Sequence, residues 1–200
     1  LTLALMGIPL LLILKEPDLS TTIVTFMVIA TLFYCAGLSS KVVIPTLLIT
    51  IPTIAIYILI VIQTGNTPFL KKYQSKRILA WLRPNEYTES SYQQQNSIMA
   101  IGSGQVLGKG LNNKDWNSVK NGNYISEPQT DFIFAVSGEE IGFIGSVILI
   151  ALIFFIVIQC LRIAKRAKND AGKLICIGIA SILGYQSFVN ICVVTGLMPN

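Results

Sequence analysis

Acids stand where a polar stretch gives way to an apolar run. Glu127-Pro128-Gln129-Thr130-Asp131-Phe132 sets two carboxylates at that border. A carboxylate so placed can take a proton from an attacking hydroxyl. Equally, Thr130 or Asp131 can N-cap the helix that begins at Phe132, with the helix dipole favouring the acid. Glu139 and Glu140 then interrupt the apolar run itself. Ionisable side chains inside such a run are costly, and they are functional or paired. On a continuous helix Glu139 lies about 12 Å beyond Asp131 and within about 80° of it, with Glu140 nearly opposite. Cap, structural pair and active site all stay open for these carboxylates. The sequence holds no His, so proton transfer falls to Asp, Glu, Lys, Tyr or water.

Two further motifs precede the acids. Tyr73-Gln74-Ser75-Lys76-Arg77 and Trp81-Leu82-Arg83-Pro84 alternate bases and aromatics, with Lys71 and Lys72 before them. That pattern suits an amphipathic interfacial helix with snorkelling bases and a Trp anchor. It also suits a surface for a pyrophosphate, which the planar donor fork of Arg77 matches. Gly102-Ser103-Gly104 followed by Gly108-Lys109-Gly110 allows close backbone approach to a ligand, with Lys109 as a point charge. It is not a Walker loop, because Gly110 stands where a magnesium-binding Ser or Thr is needed. Alone it reads equally as a turn. Near the end of the chain, Gln186 and Asn190 share a helix face, a spacing suited to interhelical hydrogen bonds or to a substrate groove.

The elements that must position these residues follow from composition. The chain has 200 residues, 52% hydrophobic and only 12% charged, against roughly 25% charged in soluble domains. The net charge of +5 does not indicate nucleic acid, because the bases sit in loops between apolar runs. Cys35, Cys160, Cys176 and Cys192 lie inside apolar runs without a CxxC pair, which indicates neither a disulfide framework nor a zinc site. Runs at 19–37, 42–62 and 174–198 each suit a membrane span of about 20 residues, with Pro45 and Pro52 as kinks in the second. The run at 132–161, about 45 Å long as one helix, must tilt or project. The run at 1–14 reads as the tail of a truncated span, and the whole chain as a piece of a longer protein. The expected fold is all-α: a polytopic transmembrane helix bundle with a large extracytoplasmic loop. Its parts are transmembrane helices in 1–62, the loop with short amphipathic helices in 63–131, and two transmembrane helices joined by a basic cytoplasmic loop in 132–200. Lys41, Arg162, Lys165, Arg166, Lys168 and Lys173 share one side against the lone Asp170, which makes that side cytoplasmic.

Taken in order, these pieces resemble the RodA/FtsW/SpoVE family of shape, elongation, division and sporulation proteins. Glu16-Pro17-Asp18-Leu19 looks like its Gln-Pro-Asp-Leu entry to a span, and Tyr73-Gln74, Arg77 and Pro84 fit its Tyr-Gln-x-x-Arg…Pro stretch. Gly102-Ser103-Gly104 with Gly108-Lys109-Gly110 fits its Gly/Lys loop. The most specific match is Glu127-x-x-Thr130-Asp131-Phe132-Ile133-Phe134-Ala135 leading to Gly138-Glu139-Glu140-Ile141-Gly142, continued by Phe188-Val189-Asn190 and Thr195-Gly196-Leu197-Met198-Pro199. Departures are Arg83 for Asp, Asn96 for Gln, Gln105 for Gly, and Ser126 for Pro.

The resemblance implies a peptidoglycan glycosyltransferase that polymerises lipid II at the outer face of the bacterial cytoplasmic membrane, as a multi-pass protein. Asp131 then maps to the family's key acid, as general base. Lys109, Arg77, Glu127, Gly108, Ser103 and Asn190 become candidates for substrate contact, and a divalent cation (Mg or Mn) could neutralise the leaving pyrophosphate. The implied partners are lipid II and undecaprenyl-linked glycan, a class B penicillin-binding protein and membrane lipid. Two other readings compete: a lipid II flippase, and a non-catalytic membrane scaffold for the penicillin-binding protein.

Overall fold

The computed structural model describes residues 7, 12–13, 19–64, 72–112, 118, 122, 124–125 and 128–199. Glu16, Pro17, Asp18, Lys71 and Glu127 lie outside the described residues. Among those described, the regular structure is helical: α1 (Leu19–Cys35), α2 (Ser40–Thr64), α3 (Lys72–Leu82), α4 (Thr88–Ser103), α5 (Ile133–Arg166) and α6 (Asp170–Val194). The chain divides into two compact units. One comprises Leu1–Ser75 with Val157–Tyr185, the other Lys76–Ile156 with Gln186–Asn200.

In the first unit, α1 ends in a Schellman motif. The N–H of Leu38 donates to the carbonyl of Phe33 at 3.0 Å, and that of Gly37 to Tyr34 at 3.1 Å. Gly37 takes the left-handed φ of 108° that this stop requires. Helix α2 runs on as one element through Pro45 and Pro52. The α1 hydroxyl of Thr31 and the α6 hydroxyl of Tyr185 meet at 2.8 Å, and Leu32 packs against Gly178. Asn169 caps the start of α6, its Oδ1 accepting the Gly172 N–H at 2.9 Å.

Among the described residues, α5 and α6 are long and apolar enough to cross a membrane. Large apolar side chains of α5 such as Phe143, Val147, Phe154 and Phe155 are exposed. A helix apolar on all sides suits lipid as solvent or a place inside a large core.

The expected single long helix over 132–161 is not continuous. Gly142 sits at φ 66° and ψ −166°, which splits α5 into segments 133–141 and 143–166. In an unbroken helix, Phe143 and Ile144 would donate to the carbonyls of Glu139 and Glu140. Here those carbonyls accept instead from Lys109 (2.9 Å) and Gly110 (3.0 Å), while Phe143 and Ile144 donate to Gln105 (2.9 Å) and Val106 (3.2 Å). Segment 105–110 is thus spliced into the break, and the buried polar backbone stays satisfied. The Ser146 hydroxyl adds a bond to the Gly142 carbonyl at 2.8 Å.

Glycine makes the close approach achievable. A Cβ on Gly108 (φ 81°) would overlap the Glu140 carbonyl, and one on Gly104 would overlap the Gly138 carbonyl. Gly102 faces open space on α4. Gly108→Ala is therefore expected to destabilise the protein by about 2–4 kcal/mol, combining positive-φ strain with overpacking. Gly102→Ala is expected to be neutral or stabilising by up to about 1 kcal/mol. Thermal unfolding of the two variants in detergent checks the contrast.

Candidate functional site

The second unit carries the candidate chemistry. Its core gathers Ala100 of α4, Ile125, Phe132, Phe134 and Ala135 at the head of α5, and Val194 at the end of α6. Burying Phe132 and Phe134 anchors the short segment 133–141, whose N-terminal approach carries Asp131.

Asp131 is exposed, and among the described residues its carboxylate has no hydrogen-bond or ionic partner. Neither it nor Thr130 caps the helix. The first helical bonds, from Ala135 (2.9 Å) and Val136 (3.2 Å), go to the carbonyl of Phe132, which is the N-cap residue. The backbone of Asp131 is nonetheless held: Asn190 Nδ2 of α6 donates to its carbonyl at 2.6 Å. Asn190 thus reaches the acid's main chain, which is the interhelical role its spacing with Gln186 suggests.

Lys109 is drawn to Glu139. Its Nζ lies 2.7 Å from Glu139 Oε1, with the lysine side chain 31% exposed and the glutamate 3%. Of the three roles open to Glu139, this geometry is the structural pair. The pair borders a pocket of about 190 Å3, lined also by Asn96, Ser103, Tyr124 and Met99. Ser103 donates to the Ala100 carbonyl at 2.7 Å, and Asn96 Nδ2 to the Tyr124 carbonyl at 2.9 Å. With its one cation matched by one carboxylate, the pocket offers hydrogen bonds rather than net charge. Gly108 packs its backbone against Glu140 and Gly142. Arg77 stands exposed on α3, and Glu127 lies outside the described residues. Among the described residues no three His, Cys, Asp or Glu side chains come together to hold a metal ion.

Sequence reasoning missed the residues that tie the loop helices to the end of α6. Trp81 Nε1 donates to the Gly196 carbonyl at 2.8 Å. Gln94 Nε2 donates to the carbonyls of Val193 (2.7 Å) and Met198 (2.6 Å), and the Ser97 hydroxyl contacts that of Val194 at 2.8 Å. Orphan carbonyls at a helix end need such donors. The available signal was three polar residues, Gln94, Asn96 and Ser97, close together on a helix that must bury one face.

Two of the described helices are long and apolar enough to cross a membrane, which suits a membrane protein. The family model described as "Cell cycle protein", that of the FtsW, RodA and SpoVE proteins, matches residues 1–200, and the chain belongs to this family. It is 33% identical over 198 residues to a probable peptidoglycan glycosyltransferase FtsW of Geobacter sulfurreducens (strain DL-1 / KN400), covering 98% of this chain and 49% of the relative. Proteins of the same description match from Nitrosomonas europaea (35% over 201 residues; 98% and 48% covered) and Bacillus subtilis strain 168 (33% over 189 residues; 94% and 46% covered). The chain spans about half the length of the curated relatives it matches. Among solved structures, it aligns with TM-score 0.64 and 26% identity, over 100% of this chain and 50% of the other, to a chain from "Structural coordination of polymerization and crosslinking by a peptidoglycan synthase complex".

Gln94 supplies a stability test. Gln94→Met keeps the shape of the side chain but removes a donor from two carbonyls, of which Val193 keeps the Gly196 N–H. It is expected to cost about 1–3 kcal/mol, read as a lowered unfolding temperature.

Proposed function

We propose that the full-length protein carrying this chain is a peptidoglycan glycosyltransferase that polymerises lipid II at the outer face of the cytoplasmic membrane, as a multi-pass protein. The observation that carries this reading is Asp131: an exposed carboxylate, without a partner among the described residues, on a main chain that Asn190 holds in place. Membership of the family and the description of its relatives as glycosyltransferases support it.

In this reaction a sugar hydroxyl of the acceptor attacks the anomeric carbon of the donor. The new glycosidic bond forms as the bond to undecaprenyl pyrophosphate breaks, and the hydroxyl proton passes to Asp131. A hydroxyl is a poor nucleophile, so a base that takes its proton in the transition state contributes about 10²–10⁴-fold. Charge grows on the leaving pyrophosphate. Lys109 is matched by Glu139, so an exposed base such as Arg77 suits that role better. The lipid tail stays in the bilayer while the head group meets the loop unit. A class B penicillin-binding protein is the proposed partner, in keeping with the synthase complex described for the structural neighbour.

The transport reading drew on Glu139, Glu140, Gln186 and Asn190. Glu139 is buried against Lys109 and Asn190 is bound to Asp131, so that reading has no observation of its own.

Asp131→Asn in the full-length chain, supplied with purified lipid II on the outer face, is expected to lower glycan synthesis by about 10²–10⁴-fold with expression and unfolding temperature unchanged. Glycan strands growing at the wild-type rate would remove Asp131 from the mechanism.

A further inference from the structure

Segment 133–141 is too short to keep helical form alone, since isolated helices below roughly 12–15 residues are marginal in water. Gly142 separates it from the long helix beyond. Its direction, and with it the place of Asp131, is therefore set by what grips its two ends. The N-terminal end is gripped by Asn190 and by the burial of Phe132 and Phe134. At the C-terminal end one pair of residues is joined twice: Lys109 N–H to the Glu139 carbonyl at 2.9 Å, and Lys109 Nζ to Glu139 Oε1 at 2.7 Å.

We propose that Lys109 and Glu139 are positioning residues for Asp131, their ion pair locking loop 105–110 to the half-helix that presents the acid. The proposal rests on Asp131 serving as the base. Removing the cation paired with a carboxylate as buried as that of Glu139 is strongly destabilising. Without Lys109 the side-chain tie between loop 105–110 and the half-helix is gone, and the half-helix is freer to move. A misplacement of about 1 Å at a reacting group costs about 100-fold in rate. The reverse deletion is milder, because Lys109 is partly exposed and water can solvate it. This asymmetry separates a positioning pair from a lysine that touches the substrate head group.

The test uses the full-length chain with purified lipid II. Lys109→Met is expected to lower kcat by roughly 10–100-fold, with KM within about threefold. Glu139→Gln, which leaves Lys109 an acceptor but no opposite charge, is expected to lower kcat by roughly 3–10-fold with KM likewise within about threefold. The double variant is expected to be no slower than Lys109→Met, because both substitutions break the same tie. Losses that multiply in the double variant, or a rise in KM at constant kcat, would put Lys109 on the substrate and overturn the proposal. Amide hydrogen exchange gives a readout free of chemistry. Lys109→Met should speed exchange in 105–110 and 133–144, both in the wild-type background and with Asp131→Asn. Unchanged exchange overturns the lock whatever the activity. Faster exchange alongside an active Asp131→Asn chain keeps the lock and discards only the assignment of the base.

Discussion

Two backbone hydrogen bonds that would have run along one helix are replaced by four between that helix and a loop. Glu139 and Glu140 give their carbonyls to Lys109 and Gly110, while Phe143 and Ile144 give their N–H groups to Gln105 and Val106. A break in an apolar helix would otherwise strand these groups, and each group stranded away from water costs roughly as much as a lost hydrogen bond. The exchange makes the break tolerable. It also demands that two backbones touch, which is why Gly104 and Gly108 face Gly138 and Gly142 with no room for a Cβ. Freed from the long apolar segment, the short segment 133–141 can take a direction of its own. That freedom lets the fold present an acid independently of a helix built to suit lipid.

The same economy governs the end of α6. Gly196, at φ 78°, closes a Schellman motif in which Leu197 and Gly196 donate to Cys192 (2.8 Å) and Val193 (3.1 Å). Trp81, Gln94 and Ser97 then add side-chain contacts to the nearby carbonyls. One turn earlier, Asn190 reaches across to the backbone of Asp131. The loop helices and the acid therefore share one anchor. A displacement at the end of α6 is felt at both.

The helices were legible in the sequence because long apolar runs leave few alternatives: α1, α2 and α6 fall close to the runs at 19–37, 42–62 and 174–198. The head of α5 was not. An isolated Gly inside a helical pattern usually costs only about 1 kcal/mol and is tolerated, so Gly142 gave no local sign of a break. Its partner, loop 105–110, is remote in sequence, and only the backbone hydrogen bonds between the two show the splice. Lys109 drew attention as an exposed cation in a glycine turn, while Glu139 drew attention as an acid in an apolar run. Each was the answer to the other. An ionisable group in an apolar run calls for a partner, and two glycine-rich segments call for close backbone approach. Neither rule names the partner, so the pairing comes from the structure.

The strongest argument for chemistry at Asp131 is a local rule left unused. Thr130 and Asp131 are both far better N-cap residues than Phe132, yet the helix starts from the Phe132 carbonyl. Shifting the start back by one residue would let the Asp131 side chain satisfy an orphan N–H. It would also pull Phe132 out of the core, where it is 1% exposed. Core burial, worth about 1.5–3 kcal/mol for such a side chain, outweighs a cap worth about 1 kcal/mol. The register that buries Phe132 therefore leaves the carboxylate facing out, with no partner among the described residues. Stability gains little from an acid in that position, and positions where a local preference fails are expected to be functional or strained.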